Sequence, residues 1–124
     1  MADPLTSAPL RFEAAVQRPL SVAYRAGGGW EGHDFLVEVV TSRLGLDACD
    51  VVMDFRELEA VLDQMLAPMH GRLLEELGLA GPLELAWQLA AGLAPRVPAP
   101  ARLVEVALTD GRGRRLAVRP VTLE

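Results

Sequence analysis

His33–Thr41, HDFLVEVVT, alternates its side chains as an extended strand does. Phe35, Val37 and Val39 share one face, and Leu36, Glu38 and Val40 share the other. Just upstream stands Gly27-Gly28-Gly29-Trp30-Glu31-Gly32. Three glycines free the backbone and bring no side-chain chemistry. A phosphate cradle needs a helix N-terminus after the glycines. A strand follows them here, so residues 18–32 read as a flexible or tightly turned loop. Further upstream, PLRFEAAVQ at residues 9–17 is a candidate first strand. Residues 1–8 read as a frayed tail, leaving one domain over 9–124.

Downstream, Asp54 precedes FRELEAVLDQMLAPM at a good N-cap position, with Glu57 completing a pair like a capping box. Leu58, Val61, Leu62, Met65 and Leu66 fall at helical spacing, and Pro68 ends the run. RLLEEL then reads as a short turn. Gly81-Pro82 opens a second helix, LELAWQLAAGL, with Leu85, Leu89 and Leu93 on one face. The proline-rich stretch 95–100 is a linker. RLVEVALT at 102–109 and RRLAVRPV at 114–121 are strands joined by the hairpin turn Asp110-Gly111-Arg112-Gly113.

Strand, strand, helix, helix, strand, strand implies an α+β fold: an antiparallel four-stranded sheet with both helices on one face. Such a sheet has two open edges, and edges must be protected or paired. Pairing between subunits into a closed barrel is the economical solution, so an oligomer is expected.

Composition narrows the function. The 124 residues are 51% hydrophobic, enough for a real core, and the net charge is −5. That balance argues against general nucleic-acid binding, which needs a basic face. One cysteine, Cys49, excludes an internal disulfide and a cysteine-rich metal site. No apolar run is long enough to span a bilayer, and MADPLTSAPL has no secretory pattern, so a cytoplasmic protein is expected. The chain lacks Lys, Ile and Asn, whose codons are AT-rich, which points to a GC-rich bacterial source. Without lysine, Schiff-base catalysis is excluded.

Over roughly residues 10–121, four local motifs in this order resemble the 6-pyruvoyl-tetrahydropterin synthase and 6-carboxytetrahydropterin synthase family. Phe12-Glu13-Ala14-Ala15 resembles F-x-A-A-H, and Glu31-Gly32-His33-Asp34-Phe35 resembles H-G-H-N-Y. Val51-Val52-Met53-Asp54-Phe55 with Leu58 resembles M-V-x-D-F-x-x-L, and Met69-His70-Gly71-Arg72-Leu73 resembles D-H-x-x-L. The resemblance implies the tunnelling fold, in which subunits close a barrel as trimers or stacked hexamers. It also implies a zinc site of three histidines.

Here the chain departs from the family. The three ligand positions hold Val16, Glu31 and His33, so zinc is not the expected cofactor. The cysteine position is Gly27, the acidic partner of His70 is Met69, and the pterin-anchoring glutamate is Leu108, just before Thr109. The P-T-x-E-N segment has become Gly81-Pro82-Leu83-Glu84-Leu85. His70, His33 and Glu31 are the candidate acid–base groups. Val16, Tyr24, Trp30, Leu108 and Thr109 are candidate pocket walls, with both histidines in one inter-subunit pocket. Asp34 points away from His33 and reads as structural. Arg112, Arg114, Arg115 and Arg119 read as solvated hairpin charges, with an anion or partner contact as the sharper alternative.

The expected function is that of a repurposed, metal-independent lyase or cyclase. It would catalyse an aldol, dehydration or ring-closure step on a small carbonyl-bearing, hydrophobic substrate in bacterial specialised metabolism. The alternatives are a non-catalytic ligand-binding or scaffold homologue, and a residual zinc-dependent pterin synthase.

Overall fold

The alternation around Phe35, Val37 and Val39 belongs to a 16-residue strand, β2 (Gly29–Leu44). These positions come from a computed structural model that describes residues 10–45 and 51–120. The expected tail at 1–8 and Cys49 lie outside the described residues. Strand β1 (Arg11–Ala26) is equally long and pairs antiparallel with β2 along its whole length, from Arg11 opposite Leu44 to Ala26 opposite Gly29. Residues 18–32 are therefore mostly strand, where the sequence predicts a loop. Gly27 and Gly28, with φ of 58° and 84°, form the two-residue turn that suits the strand twist. Pro19 disguises the continuity. It is tolerated because β1 has a neighbour on its other side only at Val22 and Ala23.

Helix α1 (Phe55–Leu66) begins where Asp54 accepts the Arg56 N–H at 2.9 Å, a cap worth about 1 kcal/mol. Leu58, Leu62 and Leu66 are buried, and Val61 and Met65 pack beside them. Gly71, at φ 70°, turns the chain and donates its N–H to the Ser21 carbonyl at 2.7 Å. That bond seats β3 (Arg72–Leu73) parallel to β1. A 3₁₀ turn, Leu74–Leu77, follows.

Helix α2 (Pro82–Leu93) starts at Gly81 with proline in its first turn, where the missing N–H costs nothing. Leu85, Leu89 and Leu93 are fully buried. Strand β4 (Arg102–Thr109) and β5 (Arg115–Val118) complete the sheet.

Among the described residues the sheet is five-stranded and mixed, in the order β3-β1-β2-β4-β5, in place of the predicted four antiparallel strands. The extra strand is two residues long, too short to carry periodicity. Its pairing depends on the Gly71 turn. Both helices share one core with Val16, Leu20, Val22, Phe35, Val37, Val39, Val106 and Leu108, so they cover the same face of the sheet. The other face sets charged groups among Leu36 and Val40. Glu105, only 7% exposed, accepts from Arg115 and Arg119, and Gln17 donates to Glu38 at 2.9 Å.

Candidate functional site

β4 pairs with β2 only over residues 36–42, so the turn end of the β1–β2 hairpin runs on past β4. Tyr24, opposite Glu31, and Val22, opposite His33, bring four chemically distinct side chains together there. The His33 ring is stacked between Tyr24, centroids 5.4 Å apart, and Phe35, 5.3 Å apart, with interplanar angles of 18° and 23°. Its Nε2 lies 3.1 Å from Glu31 Oε2. The imidazole is 14% exposed and the carboxylate 49%. One ring nitrogen is thus held by a carboxylate in partial contact with water. Nδ1 is left as the second proton-carrying position.

The hydrogen bond from His33 holds the Glu31 carboxyl below the usual carboxylate range, aided by the positive charges of Arg114 and Arg112. Burial pushes the Tyr24 hydroxyl up, and the Glu31 charge adds to this. A lowered carboxyl stabilises the fold above its ordinary titration range, and that stabilisation is lost as pH falls through the lowered value. Wild type should therefore exceed Glu31→Gln in urea midpoint near about pH 6, with the gap closing by about pH 3. A gap independent of pH would mean that the Glu31–His33 contact contributes nothing to folding.

The other expected site residues are dispersed. His70 is exposed in the turn at 67–71. Its neighbour Gly71 lines a shallow hollow of about 400 Å³ with His33 and residues 21–23, 32 and 34. Asp34 accepts from the Ser21 hydroxyl, which fits a structural role. Trp30 is half exposed, with the Arg25 guanidinium 4.8 Å from its ring centroid. Val16 and Leu108 do not line the hollow. Each is buried, opposite Val39 and Val37 respectively. Thr109 pairs with Leu36, away from the His33 face. Pairing counts outward from the Gly27-Gly28 turn, and that register sets Val22, not Val16, across from His33. Sequence reasoning put Phe35 on one face of the strand with Val37 and Val39, did not count it as a site residue, and passed over Val22. Locating the turn at Gly27-Gly28 would have found both.

A catalytic zinc needs three protein ligands in near-tetrahedral geometry. Glu31 and His33 supply two donors, and Val22, across the ladder from His33, has none to add. Among the described residues no group of three or more His, Cys, Asp or Glu is placed to hold a metal ion. This donor set does not fit zinc.

No protein-family model and no curated protein matches the chain. Solved structures do. The Caenorhabditis elegans 6-pyruvoyl tetrahydropterin synthase superposes with a TM-score of 0.76 at 14% identity, over 90% of this chain and 97% of that one. The chain has the 6-pyruvoyl tetrahydropterin synthase fold. The Plasmodium falciparum synthase matches at TM-score 0.69 and 11% identity, covering 90% of this chain and 99% of that one. A catalytic-residue mutant of the Plasmodium vivax synthase matches at 0.67 and 10%, covering 90% and 98%. Whole-length overlap at such low identity means that the synthase fold is kept by a pattern of buried positions while most individual side chains differ. No helix among the described residues is long and apolar enough to cross a membrane.

Proposed function

We propose that this chain is a divergent homologue of the pterin synthases whose hairpin site works by acid–base chemistry on a small carbonyl compound. The observation that carries this reading is the His33 ring, clamped between Tyr24 and Phe35 and bonded through Nε2 to Glu31. A carboxylate that orients an imidazole leaves the other nitrogen to take or give a proton. The reaction class is enolisation followed by elimination, aldol or ring closure, as in a lyase or cyclase. His70 is a second candidate acid, because its turn borders the same hollow. The apolar flanks, Val22 and Phe35, favour a hydrophobic substrate body.

The fold's open edges support a homo-oligomer. Among the described residues β5 has no neighbour on one side, and β3 covers only Val22 and Ala23 of β1. Native mass spectrometry should then give a trimer or hexamer, and a monomer would remove this part of the reading.

The catalytic part is tested in D₂O. Purified protein is incubated with a panel of small ketones and aldehydes, and loss of the α-proton signal is followed by NMR. Exchange above the buffer rate for at least one compound is expected. Buffer-rate exchange for all, together with saturable binding of any of them, would favour the non-catalytic binding homologue. The exposure of Glu31 and the lack of a third donor beside His33 favour that second reading.

A further inference from the structure

β1 and β2 also run on past β4 at the end away from the glycine turn. The β2–β4 ladder stops at Ser42, opposite Arg102, while Arg43 still pairs with Phe12 of β1. Period two puts Arg43 on the face of Val37, Val39 and Thr41, the side on which the helices pack. There the two strands, the segment leading into α1 and the segment leading into β4 border a groove of about 910 Å³. Its apolar walls include Phe12, Val52, Met53, Phe55, Pro98 and Pro100. That size suits a small organic ligand. His33 lies ten residues away on the same strand, about 33 Å at the rise of an extended chain.

Arg43 is the one charged residue among those lining the groove that is not exposed. Its Nε is buried and has no hydrogen-bond partner among the described residues. A buried N–H without an acceptor is destabilising, because it has lost water and gained no bond in return. Folded proteins keep few such groups, and each calls for a cause in the function or the ligands of the chain. Asp54 does not satisfy it, because its carboxylate caps α1 by accepting the Arg56 N–H at 2.9 Å. Glu13 and Glu57 line the same groove but are exposed, where water and salt screen their charge. They oppose any negative charge beyond the one that Arg43 balances.

We propose that this groove is a second binding site, for a small monocarboxylate with an apolar body. The carboxylate accepts from Arg43 Nε and from a terminal nitrogen of the same guanidinium, the two-point pairing for which arginine is shaped. The apolar body lies against Phe12, Met53 and Phe55. Phe55 is 53% exposed beside these walls, so a bound apolar group removes its ring surface from water. The inference does not rest on the chemistry of the Glu31–His33 pair.

The test follows the Met53 methyl resonance by NMR at constant ionic strength. 4-Phenylbutyrate, its neutral analogue 4-phenylbutan-1-ol and inorganic phosphate are titrated into wild type and Arg43→Gln. A saturable shift with 4-phenylbutyrate is expected, with the His33 imidazole unmoved. Binding should be at least about tenfold weaker for the alcohol, for phosphate, and for the acid in Arg43→Gln. Equal affinity for acid and alcohol, or for the acid in wild type and Arg43→Gln, would overturn the role of Arg43. Phosphate binding as tightly as the acid would overturn the monocarboxylate assignment. No saturable shift from any probe would overturn the site. A second measurement separates a ligand-binding group from a structural one. Arg43→Met keeps an unbranched stem and removes the unpaired N–H, so the urea midpoint of the ligand-free protein should hold or rise. A fall in both Arg43→Met and Arg43→Gln would assign the guanidinium a partner within the fold and overturn the proposal.

Discussion

Replacing His33 with Gln is expected to lower α-proton exchange by about 10²–10⁴-fold, the usual contribution of a positioned acid–base group. Gln keeps a donor that can reach Glu31 and much of the volume between Tyr24 and Phe35. It has no proton to exchange near neutral pH. Any loss is thus chemical rather than architectural, provided the circular dichroism and oligomeric state are unchanged. Glu31→Gln should cost less, because Glu31 is half exposed and, in the proposed reading, would act through its bond to the His33 ring. His70→Gln reports on the second candidate acid. Its effect should fall below that of His33→Gln, because His70 is exposed and has no stacking neighbour among the described residues to fix it. Exchange at the wild-type rate in both His33→Gln and His70→Gln would remove the acid–base assignment.

The second large effect concerns α2. Leu89 is fully buried in the core shared by both helices and the sheet. Leu89→Ala deletes its packing and leaves a cavity, at a cost of about 2–5 kcal/mol. That is a large part of the 5–15 kcal/mol by which a domain is typically stable. Leu83, on the same helix but 60% exposed, is the control, and Leu83→Ala should stay within about 0.5 kcal/mol. Urea midpoints of both variants, at one protomer concentration so that assembly contributes equally, decide the matter. A Leu89→Ala cost below about 1 kcal/mol would mean that α2 does not pack into the shared core as described.

Much of the candidate site was legible, and the reasons differ by residue. Glu31 and His33 are two apart on a strand, so a shared face follows from period two alone. The opposite direction of Asp34 follows from the same rule, and Ser21 meets it there. Val16 shows where sequence reasoning fails. Its motif matches, but motif spacing assumes a register, and the register here is set by a two-residue glycine turn joining two 16-residue strands. The same turn makes Val22 the neighbour of His33 and leaves Val16 and Leu108 in the core.

By itself, then, the sequence determined the order of the two helices and the four longer strands, the α1 cap at Asp54, the buried leucines of α2 and the hairpin at Asp110. Each depends on contacts within a few residues, which local spacing encodes. Tertiary structure alone decided the fifth strand, the pairing of Tyr24 and Val22 with Glu31 and His33, and the stacking around His33. These depend on which distant segments meet. That choice is made by burial of one shared core and by the strand register, and no local pattern states it.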